Sequence, residues 1–131
     1  NHLYFLLILI LTFGCKSDPI RTGNEQNGIP TPTISELTLD QQSYHLKNIE
    51  LTGYFNYTFE NVAIYSTERG GTDEAVWVDF SDSLDNSLTE GTLENLQGRK
   101  LRVQGTFDAT RGGHLGVYIG TMELIFLETL D

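Results

Sequence analysis

Ile49-Glu50-Leu51-Thr52-Gly53-Tyr54-Phe55-Asn56-Tyr57-Thr58-Phe59 alternates apolar and polar side chains along almost its whole length. A period of two predicts a long strand with one buried face: Ile49, Leu51, Phe55, Tyr57 and Phe59 on one side, Glu50, Thr52, Asn56 and Thr58 on the other. Gly53 interrupts the apolar side. A glycine inside a strand marks a bend or a close approach of backbone, so this strand is expected to curve and serve both halves of a rolled sheet.

Outward from this stretch, further strands are predicted at Val62 to Ser66, Ala75 to Ser81, Lys100 to Phe107 and about Thr121 to Glu128, separated by glycine-rich or acidic turns. Between the third and fourth strands, Leu93 and Leu96 stand three apart and Gly98 follows, which predicts one short helix with a glycine stop. Three strands, a helix and two strands is the element order of the OB fold, a five-stranded all-β barrel plugged by a helix, and that is the expected architecture; an open sandwich is the alternative. LTGYFNYT at 51–58 and VQGTFDAT at 103–110 share an apolar-x-Gly-x-Phe pattern. As first and fourth strands they would be neighbours in such a barrel.

The segment from Gly53 to Ile125 resembles a family of small bacterial proteins of unknown function with an OB-like core, several of them associated with the cell envelope. The resemblance is carried by Gly53-Tyr54, Ile64-Tyr65-Ser66 with Glu68, Ala75-Val76-Trp77-Val78, Gly105-Thr106-Phe107 and the run Gly113-His114-Leu115-Gly116-Val117-Tyr118-Ile119-Gly120. It implies the barrel and no reaction.

Residues 3–13, LYFLLILILTF, form an apolar run too short for a membrane span of about 20 residues but of the length of a signal-peptide core. Thr12-Phe13-Gly14-Cys15 then resembles the lipobox of bacterial lipoproteins, which implies cleavage before Cys15 and lipidation of its sulfur. The expected organisation is a signal peptide over residues 1–14, a flexible tether over 15–33 and the barrel over 34–131. The tether expectation rests on composition: residues 16–33 hold all three prolines and only Ile20 and Ile29 as aliphatics.

Eight Lys and Arg face eighteen Asp and Glu, for a net charge of −10, and residues 1–14 contain none of these residues. The excess therefore lies on the exported part, where it opposes phosphate backbones and anionic lipid headgroups alike. Membrane contact is expected through a lipid on Cys15, and nucleic acid is disfavoured, although Arg99, Lys100, Arg102 and Arg111 could form a local basic groove.

The segment 108–120, DATRGGHLGVYIG, concentrates Asp108, Arg111, His114 and Tyr118 among four glycines in the connection between strands four and five, one of the loops that rims an OB ligand face. Glycines let backbone amides approach a ligand, although they also simply turn a chain. Trp77, Tyr54, Tyr65 and Tyr118 could add an aromatic platform for stacking on sugars or bases, or could be core. Alternation places Val76, Val78 and Phe80 inward and Trp77 and Asp79 outward.

Asp79, Asp82 and Asp85 lack the alternate-position spacing and central glycine of an EF-hand loop and suit a solvated turn. No nucleophile elbow, metal-binding helix, phosphate loop or dinucleotide fingerprint occurs, so no cofactor and no catalysis is expected. An Asp108 and His114 pair is the only acid–base combination the segment offers. A non-catalytic binding or interaction module in the envelope is the expected role, with a structural partner in an envelope assembly as the alternative.

Overall fold

Residues 17–131 are described by the computed structural model; the apolar leader and Cys15 lie outside the described residues. The described residues form six strands: β1 (Arg21–Gly23), β2 (Asn48–Thr58), β3 (Asn61–Tyr65), β4 (Ala75–Phe80), β5 (Lys100–Asp108) and β6 (Thr121–Thr129). Four of the neighbouring pairs, β2 with β3, β3 with β4, β2 with β5 and β5 with β6, are antiparallel. A parallel pairing of β4 with β6 brings the hydrogen bonds round to the start. The protein is therefore mostly β, with a barrel-like sheet.

Local sequence explains the curvature. β2 pairs with β5 from Asn48 to Tyr54 and with β3 from Tyr54 to Thr58, so it changes partner just after Gly53. A Cβ on Gly53 would lie 2.6 Å from the Tyr65 carbonyl oxygen, a distance real side chains do not reach. The β5–β6 register slips between Gln104 and Gly105, and a Cβ on Gly105 would lie 2.7 Å from the Glu123 carbonyl carbon. Both sharp turns of the sheet are thus made where the side chain is missing.

Ile49, Leu51 and Phe55 point inward from β2, as the alternation requires, and meet Ile64, Val76, Leu101, Val103, Phe107 and Leu124 in one buried core. Tyr57 is only partly buried against it, and Phe59, beyond the end of the strand, is exposed. Four short helices close the structure: α1 (Ile34–Leu39), α2 (Gln41–Tyr44), α3 (Asp82–Asp85) and α4 (Glu90–Leu96). The stretch expected to hold one helix holds two, because Ser81 and Thr89 each cap a separate start. Gly98, at φ +75°, follows the second as expected. Ile34, Leu37, Leu84, Leu93 and Leu96 add their side chains to the core.

The expected tether is corrected over most of its length. β1 pairs with Phe126, Leu127 and Glu128 on the edge of β6, taking over where β4, paired only to Leu124, has stopped. Beyond it the backbone of Gln26 exchanges two hydrogen bonds with the buried Gln104 side chain, at 2.7 and 3.0 Å. The Glu50 amide then donates to the Pro30 carbonyl at 2.9 Å. Residues 20–33 form a strap that runs from β6 across β5 to the free edge of β2. The composition is that of a linker, but order comes from long-range hydrogen bonds, joined by the burial of Pro32 and the packing of Ile20 on the core.

Ion pairs fasten this strap. Arg102 bonds Glu50 at 2.7 Å, Glu128 at 2.6 Å and Glu25 at 2.8 Å, while Arg21 reaches Glu25 and Glu128. The two guanidinium groups lie 5.1 and 5.0 Å from the centroid of the Phe126 ring. The hydrogen bond from Arg102, assisted by the charge of Arg21, lowers the pKa of Glu25 below the usual carboxylate range. A carboxylate with a depressed folded-state pKa contributes its stabilisation above its unfolded pKa and loses it as pH falls through the folded value. The protection of strap amides around Gln26 against solvent exchange is therefore expected to fall as pH drops below about 4, ahead of that of the β2–β5 amides; equal protection of both sets at pH 3 by hydrogen-exchange NMR would show that the carboxylate does not hold the strap.

Candidate functional site

Two connections converge on the outer face of β3 and β4. The first is the tight turn at Phe59–Glu60 between β2 and β3, where Glu60 takes a left-handed φ of +56°. The second is the β5–β6 connection over residues 109–120. Between them stands Trp77, which alternation along β4 turns away from the Val76 and Val78 core side. Its ring packs on Ala63 and Ala75 and meets Tyr118 edge-on, with centroids 5.2 Å apart and planes at 65°.

The glycines of the second connection shape it around this indole. Gly113 has φ +65°, and a Cβ there would lie 2.5 Å from Trp77 Cγ, so the backbone rests directly on the ring. Gly112 accepts from the Tyr118 amide at 3.1 Å and Gly113 from the Gly116 amide at 3.1 Å, closing the turn on itself. Leu115 is held at φ +58° with its side chain 82% exposed. A branched residue in that conformation costs of order 1 kcal/mol. Exposed apolar Phe59 stands at the tip of the facing turn.

Two polar pairs flank Trp77. Arg111 bonds Asp79 at 2.7 Å, and Asp79 also accepts from the Trp77 Nε1–H at 3.2 Å. His114 Nε2 lies 3.1 Å from Glu60 Oε2, joining the two connections across the face. The open cleft between them has a volume of about 700 Å³ and is lined by Glu60, Val62, Trp77, Arg111, His114 and Thr121 together with Gly112 and Gly113. Chemically it offers an indole and a valine as apolar surface, with the Arg111–Asp79 ion pair and the His114–Glu60 pair as hydrogen-bonding groups.

The six residues singled out from sequence separate into three groups. Trp77, Arg111 and His114 share this cleft. Tyr118 is corrected from ligand contact to support: it is only 8% exposed, and its hydroxyl donates at 2.9 Å to Asn61 Oδ1, which also accepts from Tyr65 at 2.8 Å. Burial, with the neighbouring Tyr65 hydroxyl, pushes the Tyr118 phenol up to about 12. Tyr54 and Tyr65, opposite each other on β2 and β3, line a separate cleft of about 310 Å³. A single aromatic platform is not formed.

Other pairings also differ from expectation. Asp108 faces His45 at 3.6 Å and not His114, and the Thr110 hydroxyl and amide lower its pKa, so the one acid–base pair suggested by the sequence is not assembled. Glu60, Val62 and Thr121 join the cleft although nothing in their local sequence marks them; the turn at Glu60 was legible, its reach to His114 was not. Among the described residues no group of three or more His, Cys, Asp or Glu could hold a metal ion, and no helix is long and apolar enough to cross a membrane. No family model matches the chain, and no curated protein or solved structure matches it either.

Proposed function

We propose that this protein is a lipid-anchored envelope component whose OB-type barrel is a non-catalytic binding module, with its ligand taken in the Trp77–Arg111–His114 cleft. The strand pairing supports the OB assignment: β2, β3 and β4 form a meander, β5 pairs with β2 and β6, and β6 runs parallel to β4. The observation that carries the binding role is the cleft itself. It sits on the second and third strands of the five-stranded ring, between the two connections that rim the ligand face in this fold, and its left-handed Glu60 and Leu115 are the strained backbone found at binding sites.

The anchor would be Cys15, after the apolar run and Gly14. Because β1 begins at Arg21, only four residues separate Cys15 from the barrel wall near Ile20, a reach of about 17 Å when fully extended. The barrel would thus lie close against the membrane. Nucleic acid is the weaker partner: Arg99, Arg102 and Arg111 of the basic groove considered above are each paired with a carboxylate, leaving little free charge for phosphates. A protein partner is favoured as the second reading by Phe59 and Leu115, 91% and 82% exposed beside the cleft.

Membrane fractionation and intact mass of wild type and Cys15→Ala, expressed in a bacterium, test the anchor. Wild type is expected in the membrane with the added lipid mass and Cys15→Ala in the soluble fraction; an unmodified, soluble wild type overturns it. Trp77 is the only tryptophan, so its emission reports the cleft directly. Titration of the full-length protein in detergent with envelope-derived peptides and glycan fragments is expected to shift that emission, and Arg111→Ala is expected to weaken the response about tenfold. An emission unmoved by every fraction overturns the cleft as the binding site.

A further inference from the structure

On the far side of the Tyr65–Asn61 ridge, Tyr54 is a shared wall of three adjoining clefts, of about 310, 500 and 330 Å³. Together they make an extended groove over the outer surface of β2, centred on one half-buried aromatic ring. At one end it is lined by the amides of Asn56, Asn61 and Gln97 with Glu68. At the other it is lined by exposed Ser35 and Thr52 and by Lys100. Amides to one side of the tyrosine ring and hydroxyls to the other suit the hydroxyl edges of a sugar whose apolar face lies on the ring, although Asn56 spends its own amide on Thr58, Asn61 and Gln97.

The cations select among sugars. Among the described residues Arg21, Arg99, Arg102 and Arg111 are each ion-paired with carboxylates, whereas Lys47, Arg69 and Lys100 form no ion pair. Two of those three cations flank the same residue: Arg69 lines one of the Tyr54 clefts, and Lys100 Nζ lies 6.0 Å from the Tyr54 ring centroid. In a chain of net charge −10, cations left free beside a half-buried ring are placed for an anion. Glu68, which shares the groove, opposes an evenly charged polymer and tolerates one whose charges are spaced apart.

We propose that this groove is a second binding site, separate from the Trp77 cleft, for a carboxylate-bearing oligosaccharide of the uronic-acid type, with one sugar face on Tyr54 and a carboxylate between Arg69 and Lys100. The probes are a hyaluronan tetrasaccharide, whose uronic carboxylates alternate with neutral sugars, neutral chitotetraose and an oligothymidylate of four residues, titrated by calorimetry and amide chemical shifts into the full-length protein in detergent. The hyaluronan tetrasaccharide is expected to bind at least tenfold more tightly than chitotetraose, moving amides at Tyr54, Thr67 and Lys100 while Trp77 emission stays constant. Tyr54→Ala is expected to weaken it about tenfold, with Tyr54→Phe close to wild type as the control for folding. The exposed double change Arg69→Ala with Lys100→Ala is expected to abolish the preference for the acidic sugar. No binding by either sugar at millimolar concentration, equal affinity for both, unchanged affinity in Tyr54→Ala, or tighter binding of the oligothymidylate each overturns the proposal.

Discussion

Deleting residues 17–30 is expected to destabilise the domain by at least about 4 kcal/mol and to leave it aggregation-prone. The loss would remove β1 from Phe126–Glu128 and strip the partners of Gln104 and Glu50 on the neighbouring strands. Uncovering the Phe126 ring, now 1% exposed, costs about 2 kcal/mol, and several net hydrogen bonds cost about 1 kcal/mol each. Against a total stability of roughly 5–15 kcal/mol this is a large share. The deletion would also bare three residues of β6 edge, the kind of unpaired backbone that recruits other chains. Thermal unfolding with light scattering checks it: a midpoint within a few degrees of wild type and a monodisperse sample would show the strap to be dispensable.

Gly105→Ala is the second large effect. A Cβ at this position would press into the Glu123 carbonyl and lie 3.0 Å from Leu124 Cα. These are backbone atoms of a paired strand, unable to swing aside as the end of a side chain could. Relief would require β5 and β6 to separate at the register slip beside Gln104, and the expected cost is about 3 kcal/mol or more. Gly98→Ala supplies the contrast. Gly98 has a left-handed φ of +75° but nothing within 4 Å of an added Cβ, so only the conformational cost of about 1 kcal/mol applies. Chemical denaturation of both variants separates steric closure from backbone preference; equal losses would refute the assigned role of Gly105.

The strands of the ring were legible because each buries one face, and burial on a pleated strand leaves a period of two in the sequence. Gly53 was legible as a bend for the same reason: it breaks the apolar row of an otherwise regular strand. The matched segments 51–58 and 103–110 do lie in paired strands, Leu51 opposite Val103. The strap was not legible. Its order depends on Gln104, Glu50, Arg102 and Thr129, residues far along the chain whose hydrogen bonds leave no local pattern.

The candidate sites show the same division. Trp77 could be placed on the outer face by counting along β4, and Arg111 and His114 could be placed in a loop by their glycines. Which loop residues would meet which strand could not be counted. Glu60 and His114 are 54 positions apart and touch only because two connections fold over one face. Tyr118 looked like a contact by composition and proved to be a prop, since Asn61 draws its hydroxyl inward.

Arg99 has one more consequence. Its Nη1 donates to the Asp18 carbonyl at 2.9 Å and its Nε to the Asp131 carboxylate at 3.0 Å, so one buried guanidinium ties the beginning of the barrel to its last residue. Joining Asp131 to Asp18 through a short glycine linker and reopening the chain at the exposed Thr67–Arg69 turn would give a circular permutant that leaves the strand pairings in place. It would also move the new chain ends from the Arg99 pole to the rim of the Tyr54 groove, so that a reporter fused there stands over that groove.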